Sequence, residues 1–193
     1  MSTYYGFDSS TESEGSNFNP APSGVNEGWV LEEIQYIEGQ GSSSNSIQFT
    51  FKHPEKGWKY NHREWQPDES NENFERKVKS MNKRLKHIAT KYVGSDAEIT
   101  GVKTYEEYVN RYIAMIKQSD HSYEVALLLE YKNETFVGFP NYVPFIAVSE
   151  EEIDNLKKKY ENGTGYEKEP IKTDKSDVSD YGSTGGSEDS VVY

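Results

Sequence analysis

Apolar and polar residues alternate with a period of two over much of the first third of the chain, which is typical of β-strands with one buried face. Over residues 29–37 this alternation breaks at Glu32 and Glu33. A β-bulge at that point restores the alternation and bends the strand. We therefore predict a long, bent first strand whose large apolar residues share one face: Trp29, Leu31, Ile34 and Tyr36.

A second and a third strand follow after a loop rich in Gly and Ser. Residues 47–52 alternate between apolar and polar side chains. A turn that contains Pro54 and Gly57 leads into residues 58–66, and Pro67 ends this third strand.

The period then changes to 3.6, which indicates helices. Residues 74–92 form an amphipathic helix, and the capping-box pattern Thr104-x-x-Glu107 begins a second one. The apolar stripe of the first helix consists of Phe74, Val78, Met81, Leu85, Ile88 and Tyr92. Its opposite side is cationic and carries Arg76, Lys79, Lys83 and Lys86, with Lys77, Arg84 and Lys91 on the flanks.

Strand patterns return over residues 123–131 and 135–148, where a glycine and two prolines mark bends or an edge. Ser149-x-x-Glu152 then begins a short helix. Three segments follow from these patterns. We predict a flexible acidic arm over residues 1–23, one folded domain over 24–162 with a helical insertion at 70–117, and a disordered acidic tail over 163–193.

The order of three strands, a helical segment and two further strands is that of an OB barrel. We therefore predict an α+β, mainly β fold: a five-stranded OB-like barrel with a two-helix insertion between strands 3 and 4 and a short C-terminal helix. Other small α+β domains share this order, and an open sheet is an alternative.

The amino-acid composition excludes several classes of protein. The chain has 193 residues, of which 13% are aromatic, so a modest domain can bury large side chains. The absence of cysteine excludes disulfides, thiol nucleophiles and thiolate metal sites. Apolar runs fall far short of the roughly 20 residues that span a bilayer, and the N-terminus lacks a signal-peptide pattern. We expect a soluble, cytoplasmic protein without a membrane partner, in the host cytoplasm if it is viral.

Charge is distributed unevenly along the chain. The formal net charge is −12, yet residues 52–91 carry eleven basic and six acidic residues between two acidic ends. Such segregation creates a local surface that attracts anions on an acidic protein. A solvated, lysine-rich face is the alternative reading of this block.

Aromatic and cationic residues coincide on the predicted third strand. If Tyr60 faces the core, the outer face of strands two and three carries Lys52, Lys59, Arg63 and Trp65. Cations follow phosphates, and an exposed indole stacks on bases regardless of sequence. These residues, with Tyr60 as an alternative aromatic platform, are our candidates for binding single-stranded nucleic acid. The alternative is that Trp65 only closes one end of the barrel.

The cationic side of the first helix, with Arg76, Lys79, Lys83 and Lys86, supplies further candidate contacts to nucleic acid, although such a helix can also lie on anionic lipid. His87, on the polar side of the same helix, is predicted to make a surface or phosphate contact rather than to bind a metal. The acidic end of the chain is a candidate partner-binding tail formed by Glu188, Asp189, Val191, Val192 and Tyr193.

Several segments together resemble the single-stranded DNA-binding proteins of tailed bacteriophages. The resemblance is carried by Ser23-Gly24-Val25-Asn26-Glu27, the strand-loop-strand over 29–51, Trp65-Gln66-Pro67 and Arg84-Leu85-Lys86-His87-Ile88. It implies an OB fold and sequence-independent protection of single strands during DNA replication, recombination and repair. It also implies an acidic tail that recruits replication proteins such as a polymerase, helicase or primase.

Enzymatic chemistry has no sequence signal here. The chain lacks a phosphate-binding Gly-rich loop with a following Lys, a G-x-S-x-G elbow and an H-E-x-x-H pair. We therefore expect no catalytic residues, no metal and no cofactor. A non-enzymatic structural or adaptor protein, such as a virion component that binds other proteins through tyrosine-rich arms, is the alternative function. The sequence leaves homo-oligomerisation open.

Overall fold

The structure, a computed structural model, describes residues 21–41 and 43–170. The strands are β1 (Gly24–Ile37), β2 (Ser46–Lys52), β3 (Lys59–Trp65), β4 (Val125–Tyr131), β5 (Val137–Gly138) and β6 (Ile146–Ala147). The helices are α1 (Phe74–Tyr92), α2 (Tyr105–Gln118) and α3 (Glu150–Asn162). Chain order therefore places two helices between β3 and β4, and α3 after the last strand.

The strands form a nearly closed, five-stranded antiparallel barrel, which confirms the predicted α+β, mainly β, OB-like fold with its two-helix insertion. The sheet runs β3-β2-β1-β4, and β5 and β6 both pair with β4. These two short strands are the interrupted halves of the predicted fifth strand, which contains Pro140 and Pro144. Across the seam between β3 and β5, the Phe139 N–H donates to the Tyr60 hydroxyl oxygen at 2.9 Å.

The predicted β-bulge in β1 is confirmed. Leu31 pairs with Phe51 and Glu33 pairs with Thr50, so Glu32 is the extra residue. Beyond the bulge, Ile34 lies on the same buried face as Leu31. Strand β1 begins at Gly24, earlier than the alternation indicates, because its first residues pair with the second half of β4.

The core lies between the inner face of the sheet and the apolar stripe of α1. Phe49 and Leu85 are fully buried, and the edge of the Tyr112 ring from α2 packs on Phe49 with centroids 6.0 Å apart. The Tyr112 hydroxyl also donates to the Leu85 carbonyl at 2.8 Å. The burial of an aromatic ring together with a satisfied hydroxyl fixes α2 against both α1 and the sheet.

At both predicted capping boxes the N-cap hydroxyl makes its expected hydrogen bond, while the glutamate carboxylate accepts the N–H of the residue before the N-cap. The Thr104 hydroxyl accepts the Glu107 N–H at the start of α2, and the Ser149 hydroxyl accepts the Glu152 N–H at the start of α3. The Glu152 carboxylate also pairs with Lys91 at 2.6 Å, which joins α3 to the end of α1. Across the two described segments, no helix has both the length and the apolar character needed to cross a membrane.

Candidate nucleic-acid interface

The outer face of β2 and β3 has the composition that the sequence predicts. In the strand register, Lys52 lies opposite Lys59, and Trp65 lies opposite Ser46. Trp65 is 48% exposed, and the guanidinium of Arg63 lies 5.6 Å from the centre of its ring. The structure therefore brings three predicted cations and the predicted indole onto one sheet face.

The bulge residue Glu32 lies against this face. One carboxylate oxygen is 3.5 Å from the Lys52 amine and the other is 3.7 Å from the Lys59 amine. All three side chains are substantially exposed, so each pair contributes little to stability. A nucleic acid that approaches Lys52 and Lys59 competes with this carboxylate.

A groove of about 850 Å³ lies between β3, α1 and the chain that leads out of β4. Its exposed aromatic residues are Trp65 on β3 and Phe136, which is 46% exposed and precedes β5. The cationic residues that line it are Arg63, Lys77, Arg84 and Lys132. Its acidic residues are Glu64 and Asp68, so the groove has more cationic than acidic side chains in a protein of net charge −12.

A buried ion pair forms part of the groove wall. The Arg84 guanidinium donates to both carboxylate oxygens of Glu64, each at 2.5 Å, and His62 Nε2 lies 2.9 Å from one of them. Burial raises the pKa of Glu64, but the hydrogen bonds from Arg84 and His62 outweigh burial and hold the pKa below its usual value. Glu64 therefore stays ionised and neutralises Arg84.

The remaining groove cations differ in their partners. Lys132 pairs with Glu130 at 2.6 Å. Arg63 donates from Nε to the Gln48 side chain at 2.6 Å, which orients its guanidinium without neutralising it. Among the described residues, Arg63 and Lys77 form no ion pair within 4 Å, so both keep their charge for an anionic ligand.

Tyr60 lies in the core. Its ring is 5% exposed and packs against Phe51 and Phe139 with centroids 6.3 and 5.0 Å apart. Burial raises the pKa of its hydroxyl well above the usual value. Of the two aromatic candidates on β3, only Trp65 offers a solvent-facing ring for base stacking.

The predicted helix cations do not share the groove. Its lining includes Lys77 and Arg84 from α1, which the sequence places only on the flanks of the apolar stripe. The four predicted residues are exposed on the opposite side of α1: Arg76, Lys79, Lys83 and Lys86. Whether they contact a ligand stays a prediction.

Sequence reasoning did not single out Lys77, Arg84, Lys132 or Phe136 as groove residues. Phe136 is the second residue of the predicted strand over 135–148, so its closeness to the turn before that strand was the available signal for solvent exposure. For the two helix residues, the signal was their position at the border of the apolar stripe.

His87 differs from its predicted surface or phosphate role. Its Nε2 accepts the backbone N–H groups of Phe145 at 3.1 Å and Ile146 at 3.2 Å, where the chain enters β6. Burial, with the nearby charge of Lys91, lowers the pKa of His87 to about 4. The imidazole is therefore neutral at pH 7 and holds α1 against β6.

The tail candidates at residues 188–193 lie outside the described residues, as does most of the predicted acidic arm. Over residues 21–41 and 43–170, no group of three His, Asp or Glu side chains is placed to hold a metal ion. No protein-family model matches the chain, and no curated protein is significantly similar to it.

Proposed function

We propose that the protein binds single-stranded DNA without sequence preference, through the groove between β3, α1 and the β4–β5 turn and the adjoining face of β2 and β3. The observation that carries this proposal is the combination, in one groove, of two exposed aromatic rings with two cations that have no ion pair within 4 Å among the described residues. These residues are Trp65, Phe136, Arg63 and Lys77.

Each component has a separate physical role. Exposed rings stack on bases whatever their identity, and each stack contributes roughly 1–3 kcal/mol. The cations contact phosphates and release counterions, so affinity falls with salt by a slope of roughly 0.7 per phosphate on a single strand. An OB-like barrel binds oligonucleotides on the face of strands 2 and 3 and on the loop between strands 4 and 5, which here contains Phe136.

The wider role follows the resemblance of the sequence to phage single-stranded DNA-binding proteins. A protein of this kind coats and protects single strands during replication and recombination, and its acidic tail recruits replication proteins. The excess of cationic groups in the groove, set against an acidic whole, supports a polyanionic ligand for this surface.

Titration with fluorescein-labelled oligo(dT) at two salt concentrations tests the proposal. We expect an anisotropy increase at low salt and a steep loss of affinity at high salt. The Trp65→Ala variant should bind about 5- to 100-fold more weakly, because one stacked base is lost. The Trp65→Phe variant keeps a ring and should lose much less.

Three outcomes contradict the proposal. One is an unchanged anisotropy at low salt, which would leave the structural or adaptor function as the remaining hypothesis. Another is equal affinity of wild type and Trp65→Ala for the oligonucleotide. A preference for duplex over single-stranded DNA would also overturn it, because duplex bases offer no free faces to the two rings.

A further inference from the structure

Tyr142 lies just beyond the groove, two residues after Pro140, which lines it. The ring is 37% exposed although its position is fixed. Its hydroxyl donates to the Gly165 carbonyl at 3.2 Å, and the ring packs against Tyr166 with centroids 5.2 Å apart and planes at 60°. A ring that is exposed on one side and fixed by contacts on the other loses little conformational entropy when a ligand covers it.

A lysine of α3 lies beside this ring. The Lys159 amine is 5.4 Å from the centre of the Tyr142 ring and donates to the Val143 carbonyl at 3.1 Å. The arrangement resembles that of Arg63 and Trp65, whose guanidinium and ring centre are 5.6 Å apart. The groove therefore has a paired cation and aromatic ring on β3, and a second such pair where the chain leaves it.

A third residue, Lys83 of α1, adds positive charge to the second pair. Burial lowers the pKa of Lys159, and the charge of Lys83 lowers it further, so the two amines repel each other. Neither amine has a carboxylate within 4 Å among residues 21–41 and 43–170. An anion that binds beside Lys159 therefore relieves this repulsion.

The helix α1 connects the two locations. Its residue Arg84 lines the groove, and the preceding Lys83 acts on Lys159 of α3. His87, one turn further along, also experiences the charge of Lys159. A strand that leaves the groove at Asn141, which lines it, therefore reaches the adjoining Tyr142 and the Lys159 amine beside it.

We propose that Tyr142 and Lys159 form a second subsite for single-stranded nucleic acid, in which Tyr142 stacks on a base and Lys159 binds the adjacent phosphate. This inference depends on the proposed function, because it describes where a strand goes after it leaves the groove. It makes α3 part of the binding surface, in addition to the contacts that Lys157 and Lys159 make with Glu27 and Val143.

A series of oligo(dT) lengths tests the subsite, since an OB fold covers about 4 to 16 nucleotides. Wild type should gain affinity between oligomers of about 5 and about 12 nucleotides. Tyr142→Leu should bind the short oligomer normally and the long one about 5- to 100-fold more weakly. Tyr142→Phe keeps the ring and should bind both lengths as wild type does.

The salt dependence of binding tests the phosphate contact separately. Lys159→Gln should lower the salt slope for the long oligomer by about 0.7 and leave the slope for the short one unchanged. Lys117→Gln, at the end of α2, is the matched control and should change neither slope. If thermal melting shows that Tyr142→Leu is unfolded, the slope of Lys159→Gln decides the question.

The subsite is overturned if Tyr142→Leu binds the long oligomer as tightly as wild type and Lys159→Gln keeps its slope. It is also overturned if Tyr142→Leu weakens both lengths equally, because Tyr142 then belongs to the groove. Failure of the wild-type protein to bind any oligomer would instead defeat the proposed function, so the two failures are distinguishable.

Discussion

At the scale of single residues, hydrogen-bond partners determine what the polar side chains near the groove can do. The carboxylate of Glu64 is used by Arg84 and His62, so it does not repel a phosphate as a free acid does. His87 accepts two backbone N–H groups and has no free lone pair on Nε2. Arg63 and Lys77 remain available because neither forms an ion pair within 4 Å in the described segments.

The role of His87 predicts a pH dependence of stability. Its pKa of about 4 in the folded protein lies below the value near 6.5 of an unfolded chain, so the unfolded state binds the extra proton between these limits. Stability should therefore be complete above about pH 6.5 and fall by up to about 3 kcal/mol as the pH approaches 4. Urea unfolding at pH 7, 6 and 5 measures this loss.

The His87→Gln variant is the control, because its amide oxygen can accept an N–H without titrating. Its stability should vary less over the same pH range, although it starts lower at pH 7. Glu64 and Glu152 also have lowered pKa values. The stability that these two carboxylates provide is lost at the acidic end of the pH range, where they become protonated. If the free energy of unfolding of His87→Gln falls between pH 7 and 5 as much as that of wild type does, His87 is not the source of the pH dependence.

Predictions for single residues are confirmed where the alternation of side chains along one strand determines which face a residue occupies. Trp65 lies on the outer face because β3 alternates regularly and Tyr60 points inward. Phe136 could not be assigned in the same way, because its exposure depends on how β4 and β5 approach β3 and α1 across the chain. The hydrogen bonds of His87 to β6 likewise join residues 58 and 59 positions apart, which no short sequence window contains.

At the scale of elements, the cations of α1 divide between the groove and the opposite side of the helix, and it is the predicted flanking residues that line the groove. The apolar stripe fixes how the helix rolls against the sheet, and this orientation directs Lys77 and Arg84 into the groove. The 3.6-residue period of apolar residues and the capping-box patterns predicted the bounds of the three helices well. The fifth strand was predicted as one segment, but its two prolines leave only two-residue pieces that can pair with β4.

Two neighbouring lysines of α1 test this orientation. Lys77→Gln should weaken oligo(dT) binding about three- to tenfold and lower the salt slope by about 0.7, because a groove cation is lost. Lys79→Gln removes the same charge from the opposite side of the same helix and should have a much smaller effect. Equal effects of both substitutions would show that net charge, rather than the groove, governs binding.

The bulge in β1 leads to a second prediction at this scale. Glu32→Gln removes the carboxylate beside Lys52 and Lys59, so oligo(dT) should bind more tightly at low salt and with a steeper salt slope. The free energy of unfolding should change by less than about 1 kcal/mol, since both ion pairs are exposed. Glu27→Gln, which breaks the exposed pair with Lys157, is the matched control and should leave binding unchanged.

At the scale of the whole molecule, binding has to occur against a net charge of −12. The described chain begins and ends near the barrel seam. Ala21 lines a cavity with Lys59 and Phe136, and the Ser23 hydroxyl donates to the Lys168 carbonyl at 3.1 Å. Both acidic extensions of the chain therefore start close to the candidate binding surface.

Removal of the acidic C-terminal residues 176–193 should tighten binding to oligo(dT), because four negative charges that compete with the strand are lost. It should also abolish capture of replication proteins from a host extract. A full-length variant with Asp177, Asp180, Glu188 and Asp189 changed to their amides separates charge from length. Equal affinity with and without the tail would contradict competition between the tail and the strand, but it would leave the proposed binding of single strands unaffected.

The short distance between Ser23 and Lys168 makes the barrel a candidate for circular permutation. A short linker from Pro170 back to Ala21 would close the ring, and new ends could open between Asp120 and His121, in the loop between α2 and β4. The acidic extensions could then be appended at this loop, which lies at the opposite end of β4 from Glu167. Such a rearranged protein would keep every groove residue while moving the competing charges elsewhere, which turns their position into an experimental variable.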